Sequence, residues 1–483
     1  MRKMIWMAWR CSLAGVLLGF VGGCSRPVAQ FDLPEGIPEA FSRNGTAAMP
    51  QQWWRAFEDP ALNELIERGL ADNLNLQAAW DRLAQAQAVA DRTAAGLRPQ
   101  VDARASIGRS RRETGPTVTY ATTYTAGVAA GYEIDLWSEL RSLEKAALLD
   151  VQAQEDAVDT AAVTLSALVA NTWYQLAEAK ALVQITEDQI ETNRQVLELV
   201  RIRYRKNAVS AIDVLRQRQL VAGSESLLIK ARETAELLQY ILSVLTGRAP
   251  TLAWEDAAIE LAELPPPPSL GIPSEVLWRR PDVRLAYRRI QAADQRLAAA
   301  VADQYPRLSL AANAETSAAS ISDLLDDSLA NLAGNALQPL FDAGLRKAEV
   351  ERRRAIVSEV IHNWRQALLD ALQEVETALV QEQRQAQFLD SLESQLDLAR
   401  RTYESTRDRY TTGLTEYIRV LESLQSLQAL ERELVRARRT LVERRIDLYR
   451  AIAGGWELPS PSPMEIEDLN ETATDAVRDE QVF

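Results

Sequence analysis

Residues 138–206 read SELRSLEKAALLDVQAQEDAVDTAAVTLSALVANTWYQLAEAKALVQITEDQIETNRQVLELVRIRYRK, and residues 346–412 read RKAEVERRRAIVSEVIHNWRQALLDALQEVETALVQEQRQAQFLDSLESQLDLARRTYESTRDRYTT. Neither stretch holds a glycine or a proline, and both consist almost wholly of good helix formers. At ~1.5 Å per residue each predicts one helix on the order of 100 Å long, deeper than any globular core. Each ends at a short break, Asn207-Ala208-Val209-Ser210 or Thr411-Thr412-Gly413-Leu414-Thr415, and a shorter helical segment follows, 211–247 or 416–453. Another short helical segment precedes each long one, 61–97 and 274–304. The two short helices of a half together count about 70 residues, so stacked end to end they would line up along the long one.

The halves, 61–247 and 274–453, repeat each other across a Pro-rich linker, 248–273. Arg201-Ile202-Arg203-Tyr204 matches Arg407-Asp408-Arg409-Tyr410 at a shift of 206, which also carries Val214, Val221, Leu228, Ala235 and Leu242 onto Val420, Leu427, Leu434, Leu441 and Leu448. Upstream, Leu76, Trp80 and Pro99 fall on Val283, Tyr287 and Pro306 at a shift of 207. Both ladders step by seven, which predicts left-handed supercoiling against neighbouring helices. Alone, the ladders point to an ordinary coiled coil.

The segments between the helices point elsewhere. Val101, Ala103, Ala105 and Ile107 alternate with Asp102, Arg104 and Ser106; Val118, Tyr120, Tyr124, Val128, Tyr132, Ile134 and Leu136 alternate with Thr119, Thr123, Thr125, Glu133 and Asp135. This period of two predicts strands over about 98–110 and 117–137, joined by the loop RSRRETGPT at 109–117. The second half repeats the pattern more weakly over about 306–316, with Leu308, Leu310, Ala312 and Ala314 against Arg307, Ser309, Asn313 and Glu315. A fourth strand returns over about 328–341, its apolar side interrupted by Asn331 and Asn335. A soluble hairpin on a core and a bilayer-crossing sheet both fit such alternation, and tyrosine-rich strands of this length favour the bilayer. Four strands cannot stand in lipid by themselves, because their edge groups would be unsatisfied, so a barrel must be shared between chains. Eight strands would be filled by side chains, while twelve or more leave a lumen.

With 54 basic and 68 acidic residues the net charge is −14, and the mean hydropathy is −0.20, which excludes a bundle of membrane-spanning helices. The long apolar run is N-terminal. Residues 1–23 carry Arg2, Lys3 and Arg10 before a short apolar core at 13–21, the anatomy of a signal peptide. Val21-Gly22-Gly23-Cys24 resembles a lipobox, after which Cys24 becomes the lipidated first residue. Cys11 leaves with the signal, so the mature chain has no disulfide to form. Removing three positive charges leaves 51 − 68 = −17, a poor match for nucleic acid and a plausible wall for a cation-preferring channel.

No enzymatic constellation appears. His362 is the single histidine, and no cysteine or second histidine joins it as a metal site. Three of the five methionines lie in the signal, leaving Met49 and Met464 far apart. Trp53-Trp54 reads as packing of an N-terminal arm.

The segments WWRAFEDPALNELIERGLADN (53–73), YEIDLWSELR (132–141), RRPDVRLAYRRI (279–290) and LQPLFDAGLRKAEVE (337–351) resemble the outer membrane factors, the TolC-like efflux ducts, and within them the OprM- and NodT-like lipoproteins. The resemblance implies a homotrimer, in which four strands per chain close a twelve-stranded β-barrel continued by a long periplasmic α-helical barrel, a mixed α/β membrane protein. An equatorial belt would comprise the lipid-anchored arm 24–60, the linker 248–273 and the C-terminal segment with its acidic tail, 454–483. It also implies an outer-membrane location, a periplasmic adaptor and an inner-membrane efflux pump as partners, no cofactor beyond the lipid on Cys24, and passive exit of small toxic compounds. A duct for type I-like peptide or protein secretion is the alternative in the same class, and a lipid-anchored periplasmic coiled-coil scaffold without a pore the alternative from another.

At the helix breaks the family closes its tunnel, and the matching positions here are specific. Asp213 and Tyr410 match the latch aspartate and tyrosine; Ile418 matches an apolar ring position and Glu422 an acidic one. The latch arginine of the family falls on Thr415, and a second ring acid falls on Arg419, leaving Arg419 to pair with Glu422. Asn207 stands where the first turn usually has glycine, which its tolerance of positive φ permits, and Gly413 occupies the second turn.

Overall fold

The computed structural model describes residues 38–47, 52–252, 261, 263–324 and 326–452; the signal segment 1–23, Cys24 and the C-terminal segment 454–483 lie outside the described residues. A 3₁₀ turn, Trp53–Phe57, leads into α1 (Pro60–Asp72) and α2 (Leu74–Ala95). The strands β1 (Gln100–Thr114) and β2 (Thr117–Ile134) follow, then α3 (Glu139–Arg205) and α4 (Ala211–Leu245). The second half contains α5 (Pro273–Arg279), α6 (Pro281–Ala302), β3 (Arg307–Ala318), β4 (Ser328–Leu337), α7 (Leu345–Thr411) and α8 (Tyr417–Ile452).

The segments expected as single helices over 61–97 and 274–304 are each broken in two. At the first break Asn73 adopts extended backbone, and its Oδ1 accepts from the N–H groups of Asn75 and Leu76 at 3.0 and 3.1 Å, capping α2. Its Nδ2 donates to the carbonyl of Leu245, the last residue of α4, at 3.0 Å. At the second break Pro281 holds Arg280 extended, and the Arg280 guanidinium donates to the carbonyl of Ala451, near the end of α8, at 2.7 Å. Each break therefore supplies a donor to a helix C-terminus that would otherwise leave its carbonyls open.

The long helices are packed along their length by different neighbours. Arg284 pairs with Asp156 and Asp159 at 2.6 and 2.9 Å, which sets α6 beside the first part of α3. Further along, Arg232 meets Glu187 at 2.6 Å and Arg194 meets Glu225 at 2.7 Å, so α4 lies beside the last part. The ladder positions of α4 and α8 are buried or half-buried throughout, as a supercoiled seam requires.

The sheet is an antiparallel meander in the order β1-β2-β3-β4. Register pairs Val101 with Ala130, Ile107 with Tyr124, Tyr132 with Leu310 and Ala312 with Leu332, so one face is apolar across all four strands. The other face carries Asp102, Arg104, Thr125, Glu133, Arg307 and Glu315. Asn331 and Asn335, expected on the apolar side of β4, pair with Asn313 and Ser309 and so lie on the polar face. The apolar side of β4 is Ala330, Leu332, Gly334 and Ala336.

Strand ends also differ from the expected ones. The loop 109–117 is strand except for a two-residue turn, because Gly115 at φ 63° with Pro116 closes a tight hairpin. β2 stops at Ile134, since the Asp135 carboxylate accepts from Leu140 and Arg141 N–H at 3.1 and 3.0 Å and caps α3. β4 stops at Leu337, two residues before Pro339, which has no N–H for a ladder. Asp342 then accepts from Gly344 and Arg346 N–H at 3.0 and 3.3 Å, opening α7 as Asp135 opens α3.

The main core gathers where the arm, α1, the ends of α4 and α8 and the middles of α3 and α7 converge. Trp53 and Trp54 are fully buried there; Trp53 stacks on Tyr449 with centroids 5.8 Å apart, and Trp173 Nε1 donates to Asp59 at 2.8 Å. Over this core the arm bridges to the linker, with Gly45 N–H donating to Pro268 O and Ala47 O accepting from Ser269 N–H at 3.1 and 2.7 Å.

Candidate functional site at the helix tips

Both long helices end in the same way. Asn207 (φ 56°) and Gly413 (φ 79°) take the left-handed conformation, and the next N–H reaches back five residues, Ala208 to Arg203 O at 2.9 Å and Leu414 to Arg409 O at 2.8 Å. After the first tip Ser210 and Asp213 cap α4 reciprocally: the Asp213 carboxylate accepts from the Ser210 N–H at 3.0 Å and from its hydroxyl at 2.9 Å, and Ser210 Oγ accepts from the Asp213 N–H at 3.3 Å. Asp213 is thus engaged within its own helix, with no hydrogen bond to Tyr410.

Tyr410 is buried at 3 % exposure, whereas its repeat counterpart Tyr204 is 47 % exposed. It belongs to a small core of Val200, Tyr417, Val420 and Leu421, against which Ile418 packs half-buried. The Arg203 guanidinium spreads over the Tyr410 ring, 4.3 Å from its centroid, and donates to Thr411 O at 2.8 Å. Arg203 therefore fastens the tip of α3 to that of α7. Burial raises the Tyr410 phenol above its ordinary value against the opposing pull of Arg203, and burial pushes Tyr417 further up, with Tyr410 and Asp213 adding to it. Both stay protonated at physiological pH, and the buried Tyr410 hydroxyl has no hydrogen-bond partner within the described residues.

Behind this core lies a buried network of amides. The Tyr417 hydroxyl donates to the Gln217 side chain, and Gln217 Nε2 donates to Asn193 O at 2.8 Å. Asn193 Nδ2 donates to Ser224 Oγ at 2.9 Å, and Gln428 Nε2 donates to Asn193 Oδ1 at 3.0 Å. Gln189 Nε2 donates to Gln428 O and Glu431 at 3.1 and 2.9 Å. The network joins α3, α4 and α8, one helix from the second half and two from the first. Neither it nor Arg203 stands out in the sequence; the nearest cue is that Gln189 and Asn193 are four apart, one face of a helix.

Outside the network, Arg419 lies 3.8 Å from Glu422, with both side chains largely exposed, a geometry worth little to stability. Ile418 and Glu422 are four apart and share a face, and Thr415 is half-buried at the turn. His362 is exposed on α7. Among the described residues no group of acids, histidines and cysteines could hold a metal, and no helix is long and apolar enough to cross a membrane.

The sequence profile of outer membrane efflux proteins matches residues 65–248 and 272–454. The chain belongs to this family. It is 29% identical over 456 residues to the pyoverdine export outer membrane protein OpmQ of Pseudomonas aeruginosa, across 90% of this chain and 95% of that protein. To the toluene efflux pump outer membrane protein TtgC of Pseudomonas putida it is 30% identical over 470 residues, across 90% of this chain and 93% of the relative. Its fold superposes on the outer-membrane channel OprN with a TM-score of 0.81, at 24% identity, covering 89% of this chain and 99% of the channel. As a member of the family it is an outer-membrane efflux protein, and the tips stand at the ends of α3 and α7 opposite to those that leave the sheet.

Proposed function

We propose that three copies of the chain close into one passive duct across the outer membrane, and that the helix tips form its gated periplasmic mouth. The observation that carries this reading is the sheet: one face apolar across four strands, the other polar, and both edge strands unpaired within the chain. Lipid tolerates no such edges, so β1 of one copy must pair with β4 of the next. Twelve strands then leave a polar lumen; the number three comes from the family rather than from the strands. Exposed Ile212, Leu215, Ile229, Leu237 and Val244 on α4 give the helices an apolar ridge for a neighbouring copy to cover.

The internal repeat is supported by paired contacts. Asn73 with Leu245 and Arg280 with Ala451 make equivalent helix-end bonds, and Asp135 and Asp342, 207 residues apart, each accept backbone N–H groups at the start of a long helix, though at different offsets. At the mouth, Arg203 takes over the fastening that Thr415 cannot provide, with Tyr410 beneath it. Asp213 is positioned to exchange its Ser210 bonds for one to Tyr410 or to a neighbouring copy. Docking of a periplasmic adaptor on the tips, itself joined to an inner-membrane pump, would release these contacts. The cargo class is small molecules, as in the names of the relatives.

The mouth reading is tested in planar bilayers. Wild-type channels should conduct with cation preference, because Glu422 from three copies faces a constriction. Ile418→Ala with Glu422→Ala should raise single-channel conductance and reduce that preference, Arg419→Ala should sharpen it, and the exposed ion pair changed by Glu433→Ala with Arg436→Ala should alter neither. A purified protein that never conducts would instead favour the scaffold.

Lipid anchoring at Cys24 is a separate part of the proposal, motivated by Gly22-Gly23-Cys24 after the apolar core. Cys24→Ala should abolish incorporation of labelled palmitate while leaving conductance intact, since the strands supply their own apolar band. Equal labelling of the variant would remove the anchor.

A further inference from the structure

The register of the hairpin places charge at a defined height on the membrane face of the sheet. On β2 the apolar face runs from Ile134 to Tyr124, ten residues apart. At a rise of ~3.4 Å and a tilt of about 40° this covers roughly 26 Å along the membrane normal, the height of the apolar band of an outer-membrane barrel. The end nearer the helices is marked by Trp137 stacked on Tyr305, centroids 5.0 Å apart, with Trp137 Nε1 donating to Pro306 O at 2.8 Å. Such aromatic pairs sit at the membrane interface. The other end, away from the helices, is therefore at the level of the outer leaflet.

Along β1 the odd-numbered residues share this outward face: Val101, Ala103, Ala105 and Ile107, and then Arg109 and Arg111. The two arginines follow directly where the apolar band ends. Arg109 lies over the ring of Tyr120, 5.4 Å from its centroid, and Tyr120 is the cross-strand partner of Arg111. Glu113, the next residue on this face, holds Arg111 at 2.8 Å. Arg112 is on the opposite, polar face. In a chain of net charge −14, two outward guanidinium groups at this height are opposite in sign to the rest of the molecule.

We infer that Arg109 and Arg111, with Tyr120 beneath them, bind the phosphate groups of an outer-leaflet lipid headgroup. Two residues apart on one strand face, their stems are about 6.8 Å apart, so both guanidinium groups can reach one headgroup. Guanidinium forks bind phosphate oxygens bidentately, and the low dielectric beside the lipid strengthens each bond. Glu113 competes for Arg111 and would be displaced when a phosphate arrives. The inference rests on the outer-membrane reading of the sheet.

The test uses the purified full-length protein in phosphatidylcholine nanodiscs containing either diphosphorylated lipid A or its dephosphorylated form, with retained lipid counted by native mass spectrometry after detergent extraction. Wild type should retain the phosphorylated form selectively. Arg109→Gln with Arg111→Gln should lower retention about tenfold, as expected for two charge-assisted contacts at the exposed end of their range. Arg112→Gln should match wild type, and Glu113→Gln should retain more. Equal retention by the double variant, or equal retention of the dephosphorylated lipid by wild type, would overturn the proposal. Conductance is recorded for every variant, so failure of the duct reading appears as a silent wild type and is distinguishable. Where the double variant does not assemble, Arg111→Gln alone, which leaves Arg109 on Tyr120, should lose about threefold, and no loss overturns the site.

Discussion

Arg445→Ala is expected to destabilise the protein by about 3 kcal/mol or more, the usual consequence of removing one partner from a buried ion pair. The Arg445 side chain is 3% exposed, and its guanidinium grips both oxygens of Glu382, at 3.1 and 2.5 Å. The same group donates to the carbonyls of Pro265 and Pro266 at 2.6 and 3.3 Å. Alanine would strand a carboxylate and two carbonyls beneath the linker. Denaturant unfolding followed by tryptophan fluorescence should show the loss, and protease should cut near residue 265 of the variant at concentrations that spare wild type. Arg445→Met with Glu382→Leu should recover most of the stability, because it removes both charges instead of leaving one unpaired. A single variant as stable as wild type would show that the clamp contributes nothing.

Gly247→Ala should have a comparable effect through the backbone. Gly247 has φ 72°, and a Cβ there would stand 2.3 Å from the carbonyl oxygen of Asp72 and 2.8 Å from its carbon. The contact is with main chain, so relief requires the end of α4 to move off the junction of α1 and α2, breaking the bond from Asn73 to Leu245. Left-handed strain alone costs about 1 kcal/mol, and the clash should bring the total to about 3 kcal/mol. Gly413→Ala separates the two terms: φ is 79° but nothing lies within 4 Å of the added carbon. Its loss should stay near ~1 kcal/mol. Equal midpoints for the two variants in denaturant would refute the steric account.

The tips show how far local sequence reaches into a site. Turn residues such as Asn207 and Gly413 are recognisable because a left-handed residue after a helix is a local requirement. Asp213 is equally legible as a first-turn acid, and the structure shows it capping Ser210. That Arg203 covers Tyr410 is not legible, since the two are far apart in sequence and meet only when α3 and α7 lie side by side. The amide network is hidden for the same reason: Gln189, Asn193, Gln217 and Gln428 look like solvated helix positions until three helices enclose them.

The long helices, the ladders and the alternating strands follow from the sequence by itself, because periods of 3.6, 3.5 and 2 are properties of neighbouring residues. The helix breaks at Asn73 and Arg280 have local cues, a capping side chain and a following proline, but their purpose is supplied by the distant ends of α4 and α8. Which residues of β4 join the apolar face of the sheet was decided by tertiary structure alone. Its own residues, with Leu329 and Leu337 on one side and Leu332 on the other, are ambiguous; pairing with β3 through Asn313 and Ser309 settles the parity, since a shift of one residue turns every side chain to the opposite face.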